Sequence, residues 1–452
     1  MRATVHVKEK FNKLWIIPLI IFIVSILLES FVGNLLFFHS YKSIIAVQNF
    51  MNEKIKLSIF NNTFIKDEDI HKVEEGKGSA IFCLIIQILN SNIFYFILVA
   101  IISNFVNSYK STILIYSLFL ANFISAALCF IYHAPRPFMS YYSIKPAIIY
   151  NDWGSPDIRI VTLISFYLTF YEVIIRNKIM NKKIAGKIII FFVLFLIMFL
   201  DVFFIFSAGD LGYNQIIFSI CTGLVTYMII FFIFRVDVNK SKQFYDFLKF
   251  DILYYLFINL ILIAFQFILF LFIVEKWDKD YFKKNIDQQQ ERVFYPKFFT
   301  DFFNFRKHFY LDKGNFNNVI CFLMNIVCFL CLKLELYCDF QGDYNQWSLS
   351  NFEHPKRSNI LLEYQDEEFV EEENSQWNHT SAIKTVFRVI LTIIFCLICL
   401  APTVIIYAIF KVDNNDAMAF IFITTLPLLL MTFGTFYLFK IIFRCMRLAQ
   451  KK

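Results

Sequence analysis

Cysteine is missing where a stapled polar loop would need it. None of the ten cysteines falls in the polar segments 37–78, 134–157 or 276–316, so no disulfide framework organises those segments. Two C-x-x-C pairs, Cys328/Cys331 and Cys396/Cys399, lie in apolar helical runs with no histidine nearby. A zinc site needs more donors than that, and neither a metal nor another cofactor is expected. Charge is also scarce: 17% of the residues are charged against 58% apolar, which excludes a soluble protein of this length, and no nucleic-acid partner is expected. No small-residue cleavage site follows the first apolar stretch, so the basic residues 1–13 read as the start of a signal anchor rather than a removed leader. No internal repeat is visible. Histidine is absent between His133 and His308, and lysine between Lys110 and Lys145.

Long apolar runs are what the chain does have. About 20 apolar residues cross the hydrocarbon of a bilayer, and spans are expected at 14–36, 112–132, 160–175, 188–206, a sixth ending at Phe234, 251–274, 389–410 and 417–439. The run 79–106 is interrupted by Asn90-Ser91-Asn92. It reads as an interfacial half-helix followed by a short span, or as one long tilted span. A weak candidate lies at 319–334. The fold class is therefore all-α: a polytopic membrane protein of about ten transmembrane helices. The segment 176–187 carries five positive charges and no acid. With ten spans it shares one side with both termini and the basic 235–249 loop, and basic loops are cytosolic. Which membrane is meant, endomembrane or plasma membrane, is left open.

The most constrained stretch runs from Cys129 to Arg159. Arg136 stands between Pro135 and Pro137, which hold it extended at the mouth of a span. Gly154-Ser155-Pro156 then opens the next span and offers free N–H groups at a helix start, where an anion is favoured. Ser207 begins the polar turn S-A-G-D-L-G-Y-N-Q on the same face. Asp201 lies about 9 Å below Ser207 at 1.5 Å per residue, and Glu29 lies in the outer half of the first span. Ionisable groups at such depths face the bundle interior and pair; the pairs expected are Arg136–Asp201 and Arg159–Asp157.

Y-H-A-P-R-P-F-M at 132–139, W-G-S-P at 153–156 and F-S-A-G-D-L-G-Y-N-Q-I-I-F at 206–218 resemble, in order and spacing, the three motifs of the phosphatidic acid phosphatase type 2 and vanadium haloperoxidase superfamily. Its membrane branch includes lipid phosphate phosphatases and glucose-6-phosphatase. The resemblance covers about residues 14–235. It implies a six-helix membrane domain at 1–235. The apolar and charge pattern adds further helices at 236–452, with a polar loop 276–316 and an acidic loop 337–380. Together with the charges noted above, it marks a vestigial phosphate or headgroup site at Arg136, Pro137, Gly154, Ser155, Pro156, Arg159, Ser207 and Asp201. In that family one histidine attacks phosphorus and a second protonates the leaving oxygen, while lysine and two arginines neutralise the phosphate. Here Arg136 matches the first arginine and Ser207 the serine of the third motif. Cys129 takes the lysine position, Arg159 that of the P-S-G-H histidine, and Ala208 that of the second arginine. The nucleophile falls at Leu211 or Asn214. Both catalytic histidines are therefore lacking.

Three functions remain. The first is a pseudophosphatase acting as a membrane scaffold, as a partner of another membrane protein, or as a binder of lipids with anionic or phosphorylated headgroups. The second is an active lipid- or sugar-phosphate phosphohydrolase with non-standard residues; the third is a transporter.

Overall fold

A computed structural model describes residues 16–54, 89, 92–105, 108–132, 134–141, 143–144, 153–176, 184–233, parts of 257–268, 382–410 and parts of 430–446. Every regular element among them is helical. The helices are α1 (Ile16–Lys54), α2 (Asn92–Phe105), α3 (Ser108–Tyr132), the single turn α4 (Pro137–Ser140), α5 (Ile158–Phe170), α6 (Ile184–Ser207), α7 (Tyr213–Ile233), α8 (Ala382–Phe410) and α9 (Phe439–Cys445). A π-helical segment, Tyr171–Arg176, extends α5. The expected spans at 319–334 and most of 251–274 and 417–439 lie outside the described residues, as do the loops 276–316 and 337–380.

Four helical stretches are long and apolar enough to cross a membrane: Ile16–Phe50, Ile158–Ile175, Gly186–Ser207 and Tyr213–Phe231. Their outer faces are greasy. Ile20, Leu27 and Phe31 on α1, and Ile189, Phe192 and Leu196 on α6, are largely exposed, a surface that water solvates poorly.

Inside, α5 and α7 pack closely because Gly223 carries no side chain: a Cβ there would sit 2.8 Å from the Ile164 Cβ and 3.1 Å from the Val161 carbonyl. Small residues let membrane helices approach in this way. Several polar residues are met inside the bundle: Ser117 on α3 and Ser165 on α5 bond each other at 3.0 Å, and Thr222 and Thr226 on α7 bond the carbonyls one turn back. Tyr95 and Phe166 fill the centre, with ring centroids 4.4 Å apart.

α1 corrects one boundary. The first span was expected to end near residue 36, with a polar segment after it, yet the helix continues to Lys54. No glycine or proline interrupts 34–54, and Gly33, Ser40, Ile44 and Gln48 are all buried. The last three recur every four residues, one helical face. That face covers the ends of α6 and α7: Ser40 accepts the Tyr213 N–H at 2.7 Å, and Gln48 donates to the Ser207 carbonyl at 3.1 Å. On the other side of α3, α2 starts at Asn92, just where the asparagine-rich interruption ends.

Candidate functional site

The C-terminal ends of α3 and α6 meet the N-terminal ends of α5 and α7, bringing 134–139, 153–159 and 207–215 together. Arg136 is extended (φ −72°, ψ 152°) and Pro137 starts α4 behind it. The Gly154 N–H bonds the Ala134 carbonyl at 2.8 Å, joining the two halves of the central loop. Side chains from the third region complete the joint. Gln215 donates to the Pro135 carbonyl at 2.8 Å and accepts the Gly212 N–H at 3.0 Å. It also lies where a Cβ on Gly154 would be, 2.7 Å from that point. Gly209 makes the turn after α6 at φ +76°, a conformation that glycine adopts at little cost, and a Cβ there would run into Ile144.

Four charges form the centre, alternating in sign. Arg136 Nη1 lies 2.9 Å from Asp157 Oδ2, with both side chains fully buried. Arg159 clasps the same carboxylate, Nη2 to Oδ2 at 3.0 Å and Nε to Oδ1 at 3.0 Å. Its other arm reaches Asp210 Oδ2 at 3.0 Å. Asp157 is also the N-cap of α5, accepting the Arg159 N–H at 2.8 Å, while its own N–H donates to Ser219 Oγ at 2.7 Å. An N-cap carboxylate satisfies a helix-start donor and suits the helix dipole. Asp157 thus places a carboxylate of the chain's own at this helix start.

The pairing differs in one respect from the expected one. The pair Arg159–Asp157 is present, but the carboxylate at Arg136 is Asp157. Asp201 is buried on α6 and interacts electrostatically with the phenols of Tyr95 and Tyr167. Its depth along the helix was readable from sequence; the direction it faces was not. Ser207 is buried, and its hydroxyl donates back to the Phe204 carbonyl at 2.9 Å. Pro137 is buried at the start of α4, and Pro156 passes its carbonyl to Ser125 at 3.4 Å.

Sequence reasoning missed the roles of Asp210, Asn214, Gln215 and Ser219. Glu29 was noted for its depth alone. Ser155 donates to Glu29 Oε1 at 2.8 Å, and Asn214 donates to both Glu29 oxygens at 3.1 and 3.2 Å. The signal was there, because Glu29 is the one acidic residue in 14–52. Of the two positions where the resemblance would put a nucleophile, Leu211 is buried in the apolar core and Asn214 holds Glu29. Cys129, where the resemblance would put a lysine, bonds the Trp153 carbonyl through sulfur at 3.5 Å. Among the described residues no group of three or more His, Cys, Asp or Glu side chains could hold a metal; Cys328 and Cys331 lie outside them.

Asp210 lies in the turn between α6 and α7. Burial pushes its carboxyl up to about 6, against the pull of Arg159 and Arg136 and with the help of Asp157. No family model, no curated protein and no solved structure matches the chain.

Proposed function

We propose that this chain is a multi-pass membrane protein with a phosphatidic acid phosphatase type 2-like core, no longer catalytic, acting as a membrane scaffold. One observation carries the reading: Arg136, Asp157, Arg159 and Asp210 form a buried chain of alternating charge. Two arginines whose charge is met by two carboxylates offer a phosphate no net attraction. Phosphoryl transfer through a protein nucleophile needs an activated group. Among the described residues, the side chains around the arginines are carboxylates, a buried serine held by Glu29, amides, a leucine and the Cys129 thiol, which bonds the Trp153 carbonyl. The purified protein is expected to release no phosphate from lipid or sugar phosphates above the level of an Arg136→Ala control. Turnover that vanishes in that control, and in the presence of vanadate, would restore the active-enzyme reading.

In the proposed topology ten spans place both termini in the cytosol, with the charge cluster on the opposite face. Glycosylation sequons occur at Asn61, Asn239 and Asn378, all outside the described residues. Of these Asn61 alone lies on the glycosylated side, so a glycosidase-sensitive mass shift should disappear in Asn61→Gln. A shift that survives there and depends on Asn378 would mean that the span count is wrong.

A further inference from the structure

We propose that Asp210 is a proton-operated switch: one proton on its carboxylate frees one arm of Arg159 while Asp157 stays ionised between the two arginines, turning a charge-balanced cluster into a net positive anion site. The inference rests on the inactive reading above only in taking the cluster as closed when both carboxylates are charged.

The geometry singles out Asp210 as the weaker of the two acids. Asp157 uses both oxygens, on Arg136, on Arg159 and on the Arg159 backbone N–H. Asp210 is also buried, yet Oδ2 has Arg159 while Oδ1 has no hydrogen-bond partner among the described residues. A buried carboxylate oxygen without a donor is costly when charged, and a proton lowers that cost. Among the described residues the charged groups around it are few. Arg159 and Asp157 face it from the start of α5, and Arg136 from the start of α4. α1 presents neutral Ile44 and Gln48 to Gly209, and Phe37 and Ser40 to Gly212. Glu29 on α1 is engaged by Ser155 and Asn214. Asp201, on α6, interacts with Tyr95 and Tyr167.

The switch falls in a physiological range, with Asp210 raised from an ordinary 3.8 to about 6. The sign follows from linkage: a raised carboxyl contributes stability that is complete below about 4 and is lost as pH rises through about 6. Above that, two positive and two negative charges balance. Below it, Asp157 alone faces two arginines, and the remaining positive charge in a poorly solvated site attracts an anion.

Sulfate is a suitable probe because it stays divalent throughout. The full chain in detergent is titrated with sulfate at about pH 5 and about pH 7.5, on either side of that value, with chloride at matched ionic strength as control. Thermal unfolding is the readout. Wild type should bind sulfate on the order of tenfold more tightly at the acid pH. Asp210→Asn should bind at both pH values with the acid affinity, and Arg159→Gln at neither. Equal affinity at both pH values in wild type, no sulfate effect at either, or an unchanged pH dependence in Asp210→Asn would each overturn the proposal. If Asp210→Asn does not fold, wild type decides alone: the sulfate effect must titrate with a midpoint near 6, and an effect that is flat or centred elsewhere overturns it.

Discussion

Replacing Asp157 by alanine is expected to destabilise the protein by about 3–5 kcal/mol, the range for breaking a buried pair by removing one partner. Loss of the N-cap of α5 adds about 1 kcal/mol. The reason is charge counting. Without Asp157, Arg136 and Arg159 face Asp210 alone, and Arg136 is fully buried at the start of α4. Its guanidinium keeps carbonyl contacts, to Trp153 at 3.4 Å and Asp210 at 3.5 Å, but these are long and do not neutralise it. The Ser219 hydroxyl keeps its backbone partner whatever the residue at 157, because the Asp157 N–H is the donor. The loss should therefore be specific to the carboxylate. Asp157→Asn, which can still cap a helix, should lie between wild type and the alanine variant when unfolding is followed in detergent.

Arg136→Gln is expected to cost less, about 3 kcal/mol, at the lower end of the same range. It leaves Asp157 and Asp210 against Arg159, one uncompensated negative charge. Asp157 nonetheless retains the two-armed contact with Arg159 and the Arg159 N–H. The order of the two losses is thus part of the expectation: Asp157, the residue shared by both arginines, should cost more to remove than Arg136. Equal or reversed losses would place the stabilising contacts of Arg136 elsewhere.

Part of this site was legible before any coordinates. Proline on both sides of Arg136 dictated an extended cation at a helix mouth, and Gly-Ser-Pro before an apolar run dictated a helix start facing it. The order of the three polar regions against the apolar runs placed them at one end of the bundle. Direction around a helix was not legible. Counting 1.5 Å per residue located Asp201 below Ser207 but could not say that it turns toward Tyr95 and Tyr167, nor that Glu29 meets Ser155 and Asn214. The Glu29 contacts join residues more than a hundred positions apart, and their register is set by packing. The length of α1 escaped for another reason. Residues 37–54 mix charge and apolarity, and the periodic face Ser40, Ile44, Gln48 has meaning only once the ends of α6 and α7 are there to cover.

The proposal that the charge cluster is closed on itself is tested most directly by the combined variant Arg136→Gln with Asp157→Asn. Each single change leaves one buried charge uncompensated, positive or negative; together they leave Arg159 and Asp210, which still pair. Unfolding free energies of wild type, both single variants and the combined variant form a cycle. The account predicts that the combined variant is more stable than either single one. A combined loss equal to the sum of the two single losses would contradict it.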